Sequence, residues 1–310
     1  MYIKGQVYFL ILFVLFTTIG CSTKSANSTG KPLIVATTGM IGDLAKNLVG
    51  KEMEVISLMG PGVDPHLYKA TQGDLQLLND ADIILYNGLK LEGKMGEILE
   101  KVGRNKPVVA IAKRIDKNLL HGDPKYPDDE SANDPHIWFD VSMWAKTIPV
   151  VYETVVAFDQ KNEEAYNTNT IEYISQLETL HRWVKSEMAI IPTEQRILIT
   201  SHDAFGYFGS AYDLEVDALQ GISTVSDFGL KDISNLVNRI VDEKIPSIFV
   251  ESSVSSKSLE AVVEGCKDLG HEVNIGGTLF SDAMGEDGTP EGTYVGMVQH
   301  NVRTIVNALK

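Results

Sequence analysis

Between Lys161 and Ile191 the chain contains neither proline nor glycine. No other stretch limits the fold as much, because a run of this length without either helix breaker is expected to be helical. Within it Ile174, Leu177, Val184, Met188 and Ile191 fall at helical spacing, with His181 in phase. At about 1.5 Å rise per residue the helix would run roughly 45 Å, long enough to cross two structural units. A second helix, expected over Val141–Ala157 with a kink at Pro149, precedes it. The pair reads either as two ordinary packed helices or as a strut joining two lobes; length and the absence of breakers favour the strut.

Both flanks alternate between short apolar runs and amphipathic stretches. Before the strut, strands are expected at Leu33–Thr37, Met53–Met59, Ile83–Tyr86 and Pro107–Ala112, with helices at Met40–Val49, Thr71–Asp80 and Glu92–Val102. After it, strands are expected at Arg196–Thr200, Ile248–Val250 and Val273–Leu279, with a shorter strand or turn region at Leu214–Leu219. The helices there are Lys231–Asp242, Ser256–Leu269 and Tyr294–Leu309. Strands separated by helices mean right-handed βαβ units and mostly parallel sheets. The expected fold is α/β, with two lobes, each on a mostly parallel four-stranded sheet, joined by the long rigid helix. The segments are 1–20 leader, 21–31 tether, 32–160 first lobe, 161–191 linker helix and 192–310 second lobe. About 280 residues after the leader exceed the usual size for one core, which agrees with two units.

The leader carries one cation, Lys4, ahead of the apolar run Val7–Phe16. That run is too short to span a bilayer comfortably and has the length of a signal-peptide core. It ends in Thr17-Thr18-Ile19-Gly20-Cys21, which resembles a bacterial lipobox, although Thr18 stands where leucine is usual. Ser22–Lys31 is small and polar, the composition of a flexible tether. The expectation is an exported protein acylated at Cys21 and held at a membrane surface; an ordinary cleaved signal is the plainer alternative. The net charge of −15, from 27 basic and 42 acidic residues, argues against a nucleic-acid partner. Cys266 is the one cysteine beyond Cys21 and lies on the stripe Leu259, Val262, Val263, Cys266, Leu269. It reads as a packed core thiol, and no disulfide is expected in the mature body.

Four phrases carry candidate metal ligands: Asp64-Pro65-His66-Leu67-Tyr68, Asn133-Asp134-Pro135-His136-Ile137-Trp138, Thr200-Ser201-His202-Asp203-Ala204-Phe205 and Leu279-Phe280-Ser281-Asp282-Ala283-Met284. Imidazole nitrogens with one carboxylate form a ligand set for a divalent transition metal. The four are far apart in sequence, so only the whole fold can assemble them. His66, His202 and Asp282 each follow an expected strand, where open parallel sheets place their ligand sites; His136 precedes the Val141 helix. Asp140 either orients His136 or caps that helix. His181, His271 and His300 read as packing, loop and polar-face residues. His121 lies in the acidic stretch His121–Glu130, which reads as a solvated loop or a weak capture point for metal.

These phrases, with Asn79-Asp80-Ala81-Asp82, Tyr86-Asn87-Gly88, Phe205-Gly206-Tyr207-Phe208 and Gln220-Gly221-Ile222-Ser223-Thr224, resemble the TroA/ZnuA-type solute-binding proteins of zinc and manganese ABC importers. The resemblance covers nearly the whole mature chain. It implies two α/β lobes joined by a long helix, with ligand roles for His66, His136, His202 and Asp282. The bound species is one Zn2+ or Mn2+ per chain, carried as transported ligand. The implied partners are an ABC permease with its ATPase and the membrane through the lipid anchor, the receptor itself being monomeric. Val225-Ser226-Asp227-Phe228 departs from the family, many of whose members have a Glu-Pro phrase there. His202, where manganese receptors often carry glutamate, favours zinc, whereas the lack of a long histidine-rich insert pulls toward manganese or both. Two other functions stay open: a surface adhesin, or a metal-dependent hydrolase, for which Glu251 is the one strand-end acid available as a base. No His-Glu-x-x-His motif is present.

Overall fold

The computed structural model describes residues 30–122, 129 and 132–310. The leader, Cys21 and all of the tether except Gly30 and Lys31 lie outside the described residues, as does most of the His121–Glu130 stretch.

The first lobe runs β1 (Leu33–Ala36), α1 (Gly39–Val49), β2 (Glu54–Ser57), α2 (Gln72–Asp80), β3 (Ile83–Tyr86), α3 (Gly96–Val102) and β4 (Val108–Ala110). Its four strands are all parallel, in the order β2-β1-β3-β4. Leu-Ile-Val-Ala of β1 is buried throughout, as a central strand covered on both faces must be. The register sets Ile34 against both Val55 and Ile83. Thr71 and Asp74 start α2 with a reciprocal capping box.

Next come α4 (Val141–Ala145), α5 (Ile148–Phe158) and α6 (Glu163–Met188). The helix expected over Val141–Ala157 is two helices, not one with a kink. Pro149 occupies the first turn of α5, where its missing N–H costs nothing and its fixed φ suits the start of a helix. Helix α6, at 26 residues, is about 39 Å long. Its buried stripe is Tyr166, Thr170, Tyr173, Leu177, Leu180, Val184 and Met188. The tyrosines supply the first half of that stripe, which an aliphatic count overlooks. The helix packs on α1, α4 and α5 and also on α7 (Gly206–Tyr212) and α10 (Tyr294–Leu309). His181, a residue of α6, packs against α7, with Nδ1 3.0 Å from Tyr212 Oη.

The second lobe adds β5 (Ile197–His202) before α7, then β6 (Glu215–Gln220), α8 (Leu230–Asp242), β7 (Ser247–Glu251), α9 (Lys257–Asp268) and β8 (Asn274–Leu279) ahead of α10. It differs in one respect from the expected four-stranded sheet. β5 pairs with β6 and β7 with β8, each in parallel, while β5 and β7 lie side by side without a ladder. At their carboxyl ends a side chain makes the link: Glu251 Oε1 accepts the His202 N–H at 2.8 Å. The spatial order β6-β5-β7-β8 therefore repeats the β2-β1-β3-β4 order of the first lobe. Cys266 is buried in α9, as expected, and burial pushes its thiol pKa up, away from the reactive thiolate.

The lobes share a continuous core that includes Ile34, Trp138, Leu177, Phe249, Leu279 and Ile305. Hydrogen bonds tie them at the base of the cleft. Trp138 Nε1 donates to the Ser281 carbonyl at 3.1 Å, and Tyr294 Oη donates to the Trp138 carbonyl at 2.7 Å. The first main-chain N–H of α10 donates to Asp43 Oδ2 at 3.2 Å. Nearer the rim, Thr224 Oγ1 donates to Asp64 Oδ2 at 2.6 Å.

Candidate metal centre

Each candidate ligand is delivered by a local device encoded in its own phrase. After β2 the chain turns through Asp64-Pro65-His66, and Asp64 Oδ1 accepts the His66 N–H at 2.8 Å, an Asx turn. Asp134-Pro135-His136 makes the same turn, Asp134 Oδ1 accepting the His136 N–H at 2.9 Å. Strand β5 runs two residues past its expected end, so His202 is its last residue. Asp282 follows β8 beyond Phe280 and Ser281, where Asn301 of α10 holds both the N–H and the carbonyl of Phe280.

The four side chains converge. Their ligand atoms all lie within 4.8 Å of one another. Nε2 of His66 is 3.3 Å from Nε2 of His136 and 3.6 Å from Asp282 Oδ2. His136 Nε2 is 3.4 Å from Asp282 Oδ1, and His202 Nε2 is 3.3 Å from Asp282 Oδ2. A tetrahedral site with bonds of about 2.0–2.1 Å has ligand–ligand edges of roughly 3.3–3.4 Å, so the group has the dimensions of a first-row divalent ion's shell. His136 and His202 are fully buried, and His66 and Asp282 are 4% and 2% exposed. Nevertheless both Asp282 oxygens and His202 Nε2 make no hydrogen bond. Burying such groups without a partner is costly, and a cation at the centre would satisfy all of them at once. The donor set therefore fits a divalent metal.

The groups also perturb one another. Burial opposes charge on His136, but Asp134 and Asp282 outweigh it and lift the pKa to about 9. Burial opposes charge on His202 too, and Glu251 and Asp282 raise it well above the ordinary value. Burial would raise Asp282, yet the neighbouring imidazoles hold its carboxyl well below the usual range. His66 goes the other way, lowered to about 3, chiefly by burial. A cleft of about 320 Å3, lined by His66, Lys90, Asn133, Pro135 and Ile222, opens onto the group, and His66 alone of the four lines it.

The structure thus brings together all four candidates and corrects Asp140. Its carboxylate accepts the N–H groups of Ser142 and Met143 as the N-cap of α4. It faces the helix because an Asp in that position satisfies donors nothing else reaches. Nδ1 of His136 is held instead by Asp134 Oδ1 at 2.6 Å. His202 Nδ1 lies 2.5 Å from Glu251 Oε2. Neither contact was assigned from the sequence, although the repeated Asp-Pro-His tripeptide was a usable signal for the first. Of the remaining histidines, His121 stacks on Tyr207 at 4.3 Å, His271 Nε2 contacts the Ile245 carbonyl and His300 Nε2 the Thr278 carbonyl.

The chain is 48% identical to a protein of Bacillus subtilis (strain 168), manganese-binding lipoprotein MntA, over 97% of each chain. It is 46% identical to zinc-binding protein TroA of Treponema pallidum (strain Nichols), over 93% of this chain and 92% of that one. The solved structure of the Treponema pallidum periplasmic zinc-binding protein TroA superposes with a TM-score of 0.87, covering 90% of this chain and 99% of that one. A family model described as zinc-uptake complex component A, periplasmic, matches residues 34–308, and the chain belongs to that family.

Proposed function

We propose that this protein is an extracytoplasmic receptor that binds one divalent transition metal, Zn2+ or Mn2+, through His66, His136, His202 and Asp282 and delivers it to the permease of an ABC importer. The observation that carries this reading is the buried donor set drawn from both lobes, with Asp282 and His202 Nε2 left without hydrogen bonds. A site supplied wholly by protein ligands, with His66 at the edge of a cleft, suits capture and release of a cargo ion. The likeness to manganese- and zinc-binding relatives supports both metals as candidates. The permease acts with its ATPase, and the receptor works as a monomer held to the membrane by acylated Cys21. No helix among the described residues is long and apolar enough to cross a membrane. The hydrolase reading loses its candidate base, because Glu251 is engaged by the N–H and the Nδ1 side of His202.

Metal analysis of protein purified from its native host, followed by chelator-competition titration with Zn2+ and Mn2+, tests the core of the proposal. The expected result is one ion per chain and a strong loss in His202→Ala; unchanged stoichiometry and affinity in that variant would remove the four-ligand site. For the anchor, Cys21→Ala is expected in the soluble exported fraction, and a variant as firmly membrane-bound as the parent rules out lipid attachment there.

A further inference from the structure

We propose that Asp134 and Glu251 are the positioning residues of this centre: each holds Nδ1 of one histidine, leaving Nε2 free of a proton and aimed at the metal. The inference rests on the reading of His136 and His202 as ligands. A neutral imidazole carries one proton, and the nitrogen that carries it cannot bind metal. Whatever fixes the proton on Nδ1 therefore selects Nε2 as the ligand atom.

Both carboxylates do this in the same way, one from each lobe. Asp134 Oδ1 takes the main-chain N–H of His136 and also its Nδ1, at 2.9 and 2.6 Å. Glu251 takes the main-chain N–H of His202 with Oε1 at 2.8 Å and faces Nδ1 with Oε2 at 2.5 Å. The second contact is bent away from hydrogen-bond geometry, but at 2.5 Å two lone pairs would repel, so a proton belongs between them. Asp134 and Glu251 are only 2% and 4% exposed, so each is a carboxylate withdrawn from water.

Glu92 supplies the contrast. It is buried to the same 4% and lies beyond β3, the strand that holds in the first lobe the place β7 holds in the second. It too joins the ends of two strands, accepting from Thr37 Oγ1 and the Asn87 N–H at 2.7 Å each with Oε1 and from the Gly88 N–H with Oε2. Strand-end tying therefore occupies both oxygens of Glu92 but only one of Glu251. The other Glu251 oxygen has no hydrogen-bond partner and lies 2.5 Å from His202 Nδ1.

The test compares parent, E251Q, D134N, E92Q and H202A by competition of Zn2+ against a chelator. In E251Q one of the two His202 donors must meet the amide NH2, because they use different oxygens; affinity is expected to fall on the order of 10–100-fold. D134N keeps one oxygen for both donors and loses only charge, so its fall is smaller. E92Q lowers the thermal midpoint and leaves the affinity unchanged. In the zinc-loaded parent the Nδ1–H protons of His136 and His202 should exchange slowly with solvent by NMR, and that of His66 fast. E251Q binding like the parent while H202A loses zinc overturns the clamp alone. A parent that binds no zinc, or H202A binding like the parent, overturns the receptor reading and the clamp with it. If E251Q does not fold, the ring-proton exchange in the parent decides: rates for His136 and His202 as fast as for His66 refute the proposal.

Discussion

The tripeptide Asp-Pro-His occurs at 64–66 and at 134–136, and the two copies fold the same way but end differently. In both, Oδ1 of the aspartate accepts the N–H of the histidine two residues on, at 2.8 and 2.9 Å. In the second turn the same oxygen also takes Nδ1 of His136, and Tyr207 Oη anchors the turn through the Asp134 carbonyl at 2.9 Å. In the first turn the remaining oxygen reaches across the cleft to Thr224 instead. His66 thus faces the cleft on a turn fixed to the opposite lobe, whereas His136 is fully buried and held by its own aspartate. One local signal makes both turns; what surrounds the carboxylate decides whether the imidazole is clamped or the lobes are tied.

The strongest break of this comparison is His136→Ala against His66→Ala. Both should lose affinity, but His136→Ala should fall beyond the roughly 100-fold typical of lost supporting contacts. His66→Ala should fall less, because water can enter from the cleft and take the vacated position. Chelator competition reads both, and equal losses would mean that the difference in clamping has no energetic weight.

Next in size is the base of the cleft. Trp138→Phe removes the donor to the Ser281 carbonyl, and leaving a buried acceptor unpaired costs about 1–3 kcal/mol. Denaturant unfolding measures that loss. At the rim, Thr224→Val removes one hydrogen bond worth about 0.5–1.5 kcal/mol net, and its effect belongs to metal release. Release measured by stopped-flow chelation should speed up by roughly 2- to 10-fold, with little change in unfolding. If Thr224→Val instead costs as much stability as Trp138→Phe, base and rim do not divide the work between rigidity and gating.

A further comparison at the base concerns pH. Asp43, which receives the N–H of Tyr294 at the base, has its pKa raised from 3.8 to about 6, chiefly by burial. A raised folded-state pKa means the native protein keeps a proton that the unfolded chain has lost. Its contribution to stability is therefore full below about pH 4 and is lost as pH rises through about 6. Asp43→Asn is neutral throughout and keeps an oxygen for Tyr294. It should match the parent near pH 4 and exceed it by up to about 3 kcal/mol at pH 8. Parallel stability curves would show that Asp43 does not titrate in this range.

Alternation of apolar runs and amphipathic stretches was enough to place the long helix and seven of the eight strands among the described residues, and to mark the eighth, β6, as strand or turn, because these patterns report burial on one face or both. Helix α7 is not legible in the sequence, since Gly206 and Gly209 within seven residues are poor helix formers and only packing against its neighbours keeps the turn. The four ligand candidates were legible because each sits in a phrase with its own local turn or strand end. Which acid supports which histidine was not. Asp140 stands four residues after His136 and was available to orient it, yet helix α4 needs its cap more. Glu251 lies 49 positions from His202, and only the side-by-side placement of β5 and β7 brings them together.

By itself, then, the sequence determined the α/β pattern, the strut and the donor types, all of which follow from local periodicity and side-chain chemistry. The tertiary structure alone decided that four residues spread from His66 to Asp282 share one centre of atomic dimensions. It also decided that two of three imidazoles face a carboxylate on the side away from that centre. Separations of a few ångströms between distant residues come from how lobes and strands pack, and no spacing along the chain encodes them.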